Sequence, residues 1–311
     1  MHPRRLLIAL LVLGAAGSIW AFLPSSGTKP PPAASDRTER VETESTPSFP
    51  GSINGAERET LIERAAGIGT LQSYLVAHRG ERIIEEYYRG GAKGEAHNVK
   101  SAAKSIISLL VGIAIEEGHI SGVDQPIGPY FESYFAAHPD SAKAQITLRD
   151  LLTMRSGLET TSFHNYGEWV TSSDWVAYAL DQPMVDERGE DMEYSTGTTH
   201  LLSVILTRAT GMSTRAFAEK HLFGPMGIEL GGWDRDPDGY YMGGNNMALT
   251  PEGMLAIGIM VLNEGRYEGR QIVSESYLRE AFRTYTRSNY NPYDYGYLWW
   301  KRPVGGQEVR F

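Results

Sequence analysis

The stretch Asn98-Val-Lys-Ser101-Ala-Ala-Lys104-Ser-Ile-Ile-Ser-Leu-Leu-Val-Gly-Ile-Ala-Ile-Glu116, closed by Gly118, decides how the rest of the chain must be arranged. It predicts a helix with apolar residues on nearly every face, and a helix without a polar stripe belongs in the interior of a domain. Gly118 stands where a helix C-terminus favours a left-handed residue. Ser101 and Lys104 open this helix three residues apart, which puts their Cβ atoms about 5–6 Å from one another on one face. A serine hydroxyl is a weak nucleophile until a neighbouring base takes its proton. Burial against Ile107 and Leu110 would disfavour the Lys104 ammonium and so make the amine such a base. A helix N-terminus adds backbone N–H groups aimed at developing negative charge. The spacing alone is weak evidence, because Ser26-Gly-Thr-Lys29 repeats it where no helix is predicted. The plainer reading makes Ser101 an N-cap and sends Lys104 outward to solvent.

Working upstream, Ser73-Tyr-Leu-Val-Ala77 and Arg82-Ile-Ile-Glu-Glu-Tyr-Tyr88 flank Arg79-Gly80 and predict a β-hairpin. Residues 24–56 are rich in Pro, Ser, Thr and Glu and predict a disordered tether. Before them, His2-Pro-Arg-Arg5 precedes an uncharged run from Leu6 to Leu23, the pattern of an export signal. That run is also near the minimum length for a bilayer span, so residues 6–23 could remain as a membrane tether. The expected location is therefore outside the cytoplasm, periplasmic or membrane-anchored, with residues 57–311 as the folded domain.

Downstream, helical patterns cover Leu148 to Met154, Trp169 to Leu180, His200 to Thr210, Thr214 to Leu222 and Pro251 to Asn263. A strand pattern returns at Tyr295-Gly-Tyr-Leu-Trp-Trp300. This order predicts an α+β fold: an antiparallel sheet with flanking helices, interrupted by a mostly helical insertion over about 119–285. A cleft between the two parts would be the natural place for a site.

The composition narrows the partners. At 311 residues and 41% hydrophobic, the chain can build a packed core. A formal charge of −9 offers no basic stripe for nucleic acid. There are no cysteines, which removes disulfides and thiolate metal sites. The eight histidines lack metal-site spacing, and no phosphate loop, dinucleotide fingerprint or Gly-x-Ser-x-Gly elbow is present. No metal or cofactor is expected, and a small ester, amide or peptide is the expected partner. Trp233, Trp299 and Trp300 read as core or cleft wall, and the sequence does not reveal the oligomeric state.

The segment Asn98-Val-Lys-Ser101-Ala-Ala-Lys104-Ser105 resembles the nucleophile segment of the serine β-lactamase and penicillin-binding protein superfamily, most closely its class C β-lactamase-related branch. Further blocks follow in that family's order: Gly118-His-Ile-Ser-Gly-Val-Asp-Gln-Pro126, Ile146-Thr-Leu-Arg-Asp-Leu-Leu-Thr-Met-Arg-Ser-Gly-Leu158, Tyr194-Ser-Thr-Gly197 and Leu222-Phe-Gly-Pro-Met-Gly-Ile228. The resemblance implies a β-lactamase/transpeptidase-like fold working through an acyl-enzyme, with Ser101 as nucleophile and Lys104 as base. It casts Tyr194 as a proton shuttle opposite Lys104, a role a phenol can fill if the nearby ammonium lowers its pKa. Thr196 stands where true β-lactamases carry asparagine, which favours an esterase, a D-peptidase or a hydrolase of short amide oligomers such as aminohexanoate dimers. Asn245 and Asn246, in a glycine-rich loop, are candidates for lining the cleft.

The family's third motif, Lys-Thr-Gly or His-x-Gly, should follow Trp300 and is not found there. His78-Arg-Gly80 falls in the wrong element, and Gly305-Gly-Gln307 reads as coincidence. The expectation is that the C-terminal strands are missing and the activity impaired, since losing one oxyanion donor costs about 2.7–4 kcal/mol. A non-catalytic ligand or peptidoglycan sensor, or an inactive truncated product, is the alternative.

Overall fold

A computed structural model of the chain describes residues 9–10 and 54–311. Most of the expected export signal, the second Ser-x-x-Lys match and nearly all of the expected tether lie outside the described residues. Ala9–Leu10 forms a short strand.

The apolar stretch that opened the sequence becomes the helix Ala103–Glu116, and every residue from Ala103 to Ala114 in it is buried. Each large aliphatic side chain so buried contributes about 1.5–3 kcal/mol, so this helix anchors the main core. It ends as its sequence predicts, with Gly118 at φ +75°. Two features close its outer surface. Gly112 lies flush against the Tyr277 ring, with 2.4 Å from its missing Cβ to the nearest ring carbon. Tyr277 in turn donates its hydroxyl to the Ser108 carbonyl at 2.8 Å.

The predicted hairpin is Ser73–His78 paired antiparallel with Glu81–Tyr87. Its two-residue turn, Arg79 at φ +54° and Gly80 at φ +85°, has the positive φ at both positions that twist-matched hairpin turns require. On the far side of Ser73–His78, Val76 and Leu75 pair with Ala9 and Leu10. Helix Gly55–Ala66 covers this sheet and starts with a capping box between Asn54 and Glu57. The strand and turn patterns did not identify it.

Four-stranded pairing joins Thr286–Arg287, Asp294–Tyr295, Trp300–Val304 and Gln307–Arg310 into a second antiparallel sheet. The block Tyr295–Trp300, expected as one strand, is instead a corner between two strands that pair through Tyr295 and Trp300. Its bend is fixed by Tyr297 N–H donating to Ala281, Leu298 N–H donating to Leu152, and a left-handed Leu298 at φ +62°. Gly305 and Gly306, both at positive φ, make the turn of the last hairpin.

The helices between these sheets follow the predicted order with two corrections. Trp169 to Leu180 is two helices, Tyr166–Thr171 and Trp175–Asp181, because Asp174 accepts from the Ala177 N–H and starts a new one. Thr214 to Leu222 passes from α-helix at Thr214–Ala218 into a π-helical turn at Glu219–Phe223. Among the described residues no helix is long and apolar enough to cross a membrane.

Candidate active site

The site starts on strained backbone. Lys100, at φ +52°, is a non-glycine residue in the left-handed region, and such strain concentrates where a side chain must be presented. It leads into a short 3-10 turn, Lys100–Ala102, which carries Ser101 ahead of the α-helix that begins at Ala103. Ser101 is exposed and makes no capping hydrogen bond, so it is not an N-cap. Lys104 does not reach outward either, being only 2% exposed.

Three groups surround the Lys104 amine. Nζ lies 3.3 Å from Ser101 Oγ, 3.2 Å from Thr196 Oγ1 and 2.8 Å from the Gly244 carbonyl. No carboxylate is among these partners, so burial is uncompensated by an opposite charge and pulls the amine pKa down to about 7. Thr196 begins the helix Thr196–Thr210, which is capped by Ser195 accepting from the Thr198 N–H. Its Oγ1 also meets Ser162 Oγ at 2.8 Å, and Ser162 accepts from the Thr196 N–H at 2.7 Å. Ser162 is thus bound to the polar cluster, although no sequence pattern singled it out.

Tyr194 faces the same cluster, with its ring centroid 5.0 Å from Lys104 Nζ. Its phenol does not have the lowered pKa that the resemblance implied. Burial pushes it up to about 12, with a hydrogen bond to Ser101 acting in the opposite sense. The phenol is therefore a held proton, not a phenolate.

The loop that brings the Gly244 carbonyl fits only because it has no side chains there. A Cβ on Gly243 would lie 2.0 Å from the Thr199 carbonyl oxygen, and one on Gly244 would lie 2.3 Å from Thr199 Oγ1. Asn245 and Asn246 are half-buried beside it. Asn245 donates to the Tyr166 hydroxyl at 3.3 Å, while Asn246, at φ +53°, accepts from Asn98 at 3.0 Å. Both hold the loop to its neighbours, and the hydrogen bonds of Lys104 go elsewhere, to Ser101, Thr196 and Gly244.

A second buried pair fastens this loop at its other end. His200 Nε2 and Asp236 Oδ2 are 2.9 Å apart with both side chains fully buried. His200 sits edge-on to Trp169 and Trp175, at centroid distances of 5.9 and 5.5 Å. It lies one turn beyond Thr196, so the pair ties residues 233–247 to the helix that presents Thr196. Trp233 adds a bond within the loop, from Nε1 to the Met242 carbonyl at 2.8 Å.

On its outer side the cluster is walled by aromatic rings. Trp300 stacks on Tyr194 with centroids 5.8 Å apart, and Phe163 meets Tyr194 at 6.4 Å. Trp299 instead packs edge-on against Phe282 inside the core.

Against known proteins, a family model described as beta-lactamase matches residues 72–310. The 6-aminohexanoate-dimer hydrolase of Paenarthrobacter ureafaciens is 23% identical over 218 residues, 65% of this chain and 55% of that protein. The chain thus spans little more than half the length of this relative. Among solved structures, a penicillin-binding protein homologue from Caulobacter crescentus superposes with a TM-score of 0.66 at 14% identity, covering 81% of this chain and 82% of that one. A D-stereospecific amidohydrolase from Streptomyces sp. gives 0.61 at 18% identity, covering 83% and 86%. At these identities the likeness is one of fold, and it agrees with the α+β reading of helices around antiparallel sheets.

Proposed function

The chain belongs to the beta-lactamase family, and on that footing we propose that it is a serine hydrolase that cleaves a small ester or amide through an acyl-enzyme on Ser101. The observation that carries the reading is the surroundings of Lys104 Nζ. A neutral amine has two N–H bonds and one lone pair. The Gly244 carbonyl can only accept, so it takes one hydrogen. Thr196 Oγ1 takes the second, and its own hydrogen can go to Ser162. The lone pair is left for the Ser101 hydroxyl, 3.3 Å away. With a pKa near 7 the amine is neutral in about half of the molecules at pH 7, in contrast to a negligible fraction for an ordinary lysine.

The steps follow from this arrangement. Ser101 Oγ attacks the substrate carbonyl carbon as its proton passes to Lys104 Nζ. Collapse of the tetrahedral intermediate breaks the bond to the leaving group, which takes a proton relayed from the Lys104 ammonium. In this reading Tyr194 passes that proton on, releasing its own and being refilled from Lys104, so it never accumulates as phenolate; its ring 5.0 Å from Lys104 Nζ and its hydrogen bond with Ser101 support the role. Water then repeats the sequence on the acyl-enzyme, giving the acid and free Ser101.

Thr196 in place of the asparagine of true β-lactamases argues for an ester or amide over a β-lactam. Two proteins this chain resembles, a 6-aminohexanoate-dimer hydrolase and a D-stereospecific amidohydrolase, point the same way. Assignment to the class C-related branch belongs to this reading, as does placing residues 57–311 as the hydrolase domain behind an N-terminal export signal.

The test is intact-mass analysis after treatment with a fluorophosphonate, alongside Ser101→Ala. A single adduct that disappears in the variant is expected. Folded protein that takes no adduct, or an adduct that survives in Ser101→Ala, would refute the assignment.

A further inference from the structure

The aromatic side of the site continues outward past the polar cluster. From Tyr194, the rings run to Phe163 and on to Tyr290, whose centroid is 5.2 Å from that of Phe163. Phe163 is 49% exposed and Tyr290 47%. Isolated exposed apolar residues are ordinary, but these two touch each other and are continuous with a ring that lies over Lys104. Together with Trp300, which also stacks on Tyr194, they form an apolar face that begins at the reacting groups and ends in solvent.

The outer part of this face is held in place. The Tyr290 hydroxyl donates to Glu193 Oε1 at 2.8 Å, tying the loop before Tyr293 to the residue next to Tyr194. Glu193 places a carboxylate beside Tyr290, where it repels an anionic group and leaves an uncharged one unaffected.

Resting on the serine hydrolase reading, we propose that Phe163, Tyr290 and Trp300 form the specificity wall of this site, and that it takes an uncharged aryl or alkyl group of the substrate. The preferred substrates are then apolar esters or amides, with short or anionic ones disfavoured. Two exposed rings gain on binding what they lose to water when the site is empty, which is the condition for selecting a partner by buried apolar area.

The test is protection of the full-length protein from fluorophosphonate labelling by boronic acids, which add to the serine oxygen whatever group they carry. In the wild type, 2-phenylethylboronic acid should protect at a concentration about tenfold or more below methylboronic acid, the discrimination an apolar contact of this size supplies. An analogue carrying a ring carboxylate should be weaker than its uncharged parent. In Phe163→Ser/Tyr290→Ser the ratio should fall to about threefold or less, whereas Tyr290→Phe, which keeps the ring and loses only the Glu193 bond, should largely retain it. Both positions are at the surface, so the folded state survives the changes. Equal protection by both acids in the wild type, or an undiminished ratio in the double variant, would overturn the wall. Absence of any adduct on folded wild-type protein would overturn the serine hydrolase reading itself and the wall with it.

Discussion

Replacing Lys104 with methionine should make the protein's stability less dependent on pH, by an amount that follows from the burial of the amine. In the folded protein the Lys104 pKa is about 7, against 10.5 for an ordinary lysine. Between those values the unfolded chain holds a proton that the folded protein lacks, so stability rises with pH across the window. The benefit is complete above the unfolded value and absent below the folded one. One proton over two pH units corresponds to about 1.4 kcal/mol per unit, so from pH 7.5 to 9.5 the wild type should gain about 2–3 kcal/mol that Lys104→Met does not. Urea unfolding followed by tryptophan fluorescence at several pH values gives both curves. The lost bonds to Gly244 and Thr196 and the altered packing shift the variant by a constant, so the comparison of slopes isolates the titration. Parallel curves would refute a neutral, buried Lys104, and with it the base that the mechanism requires.

The same amine predicts that fluorophosphonate labelling speeds up with pH, half-maximal near 7, because only the neutral form accepts the Ser101 proton; a stopped-time labelling series checks it, and a flat profile would contradict it. Gly244→Ala introduces a Cβ 2.3 Å from Thr199 Oγ1 and 3.0 Å from Lys104 Nζ. The resulting displacement should slow labelling by about 100-fold while a folded protein persists. Gly112→Ala presses a methyl into the Tyr277 ring, which cannot swing away while bonded to Ser108, and should cost about 1–3 kcal/mol in urea unfolding. His200→Ala leaves Asp236 buried without its partner and should cost about 3–5 kcal/mol, with slower labelling as the Gly244 loop loosens.

What could be read from the sequence was whatever depended on neighbours along the chain. The buried helix, its Gly118 end, the hairpin with its Arg79-Gly80 turn, and the low pKa of Lys104 all follow from local pattern and from burial. The resemblance to the serine β-lactamase superfamily was carried by ordered blocks of the same local kind. What escaped was set by distant packing. The bend at Gly296–Leu298 is made by carbonyls from Ala281 and Leu152, so an aromatic run of strand character is forced to turn. Gly244 reaches Lys104, and Ser162 reaches Thr196, only through the fold, and nothing in their immediate sequence marks them as partners. The helix Gly55–Ala66 was the avoidable miss, since Asn54 and Glu57 spell out a capping box. The shift on Tyr194 ran opposite to expectation because burial of the phenol itself, which only the fold sets, outweighs the hydrogen bond from Ser101.

The three bonds of Lys104 span very different lengths of chain: 3 residues to Ser101, 92 to Thr196 and 140 to Gly244. The pair that reacts can meet as soon as one helical turn forms, on the submicrosecond scale of helix growth, but the acceptors that aim it must wait for loop closures of high contact order. During refolding, helix content should therefore recover long before reactivity does. A collapsed chain with its helices formed and its distant contacts unmade would be inert toward the probe, so adduct formation counts only those molecules whose long-range topology is complete.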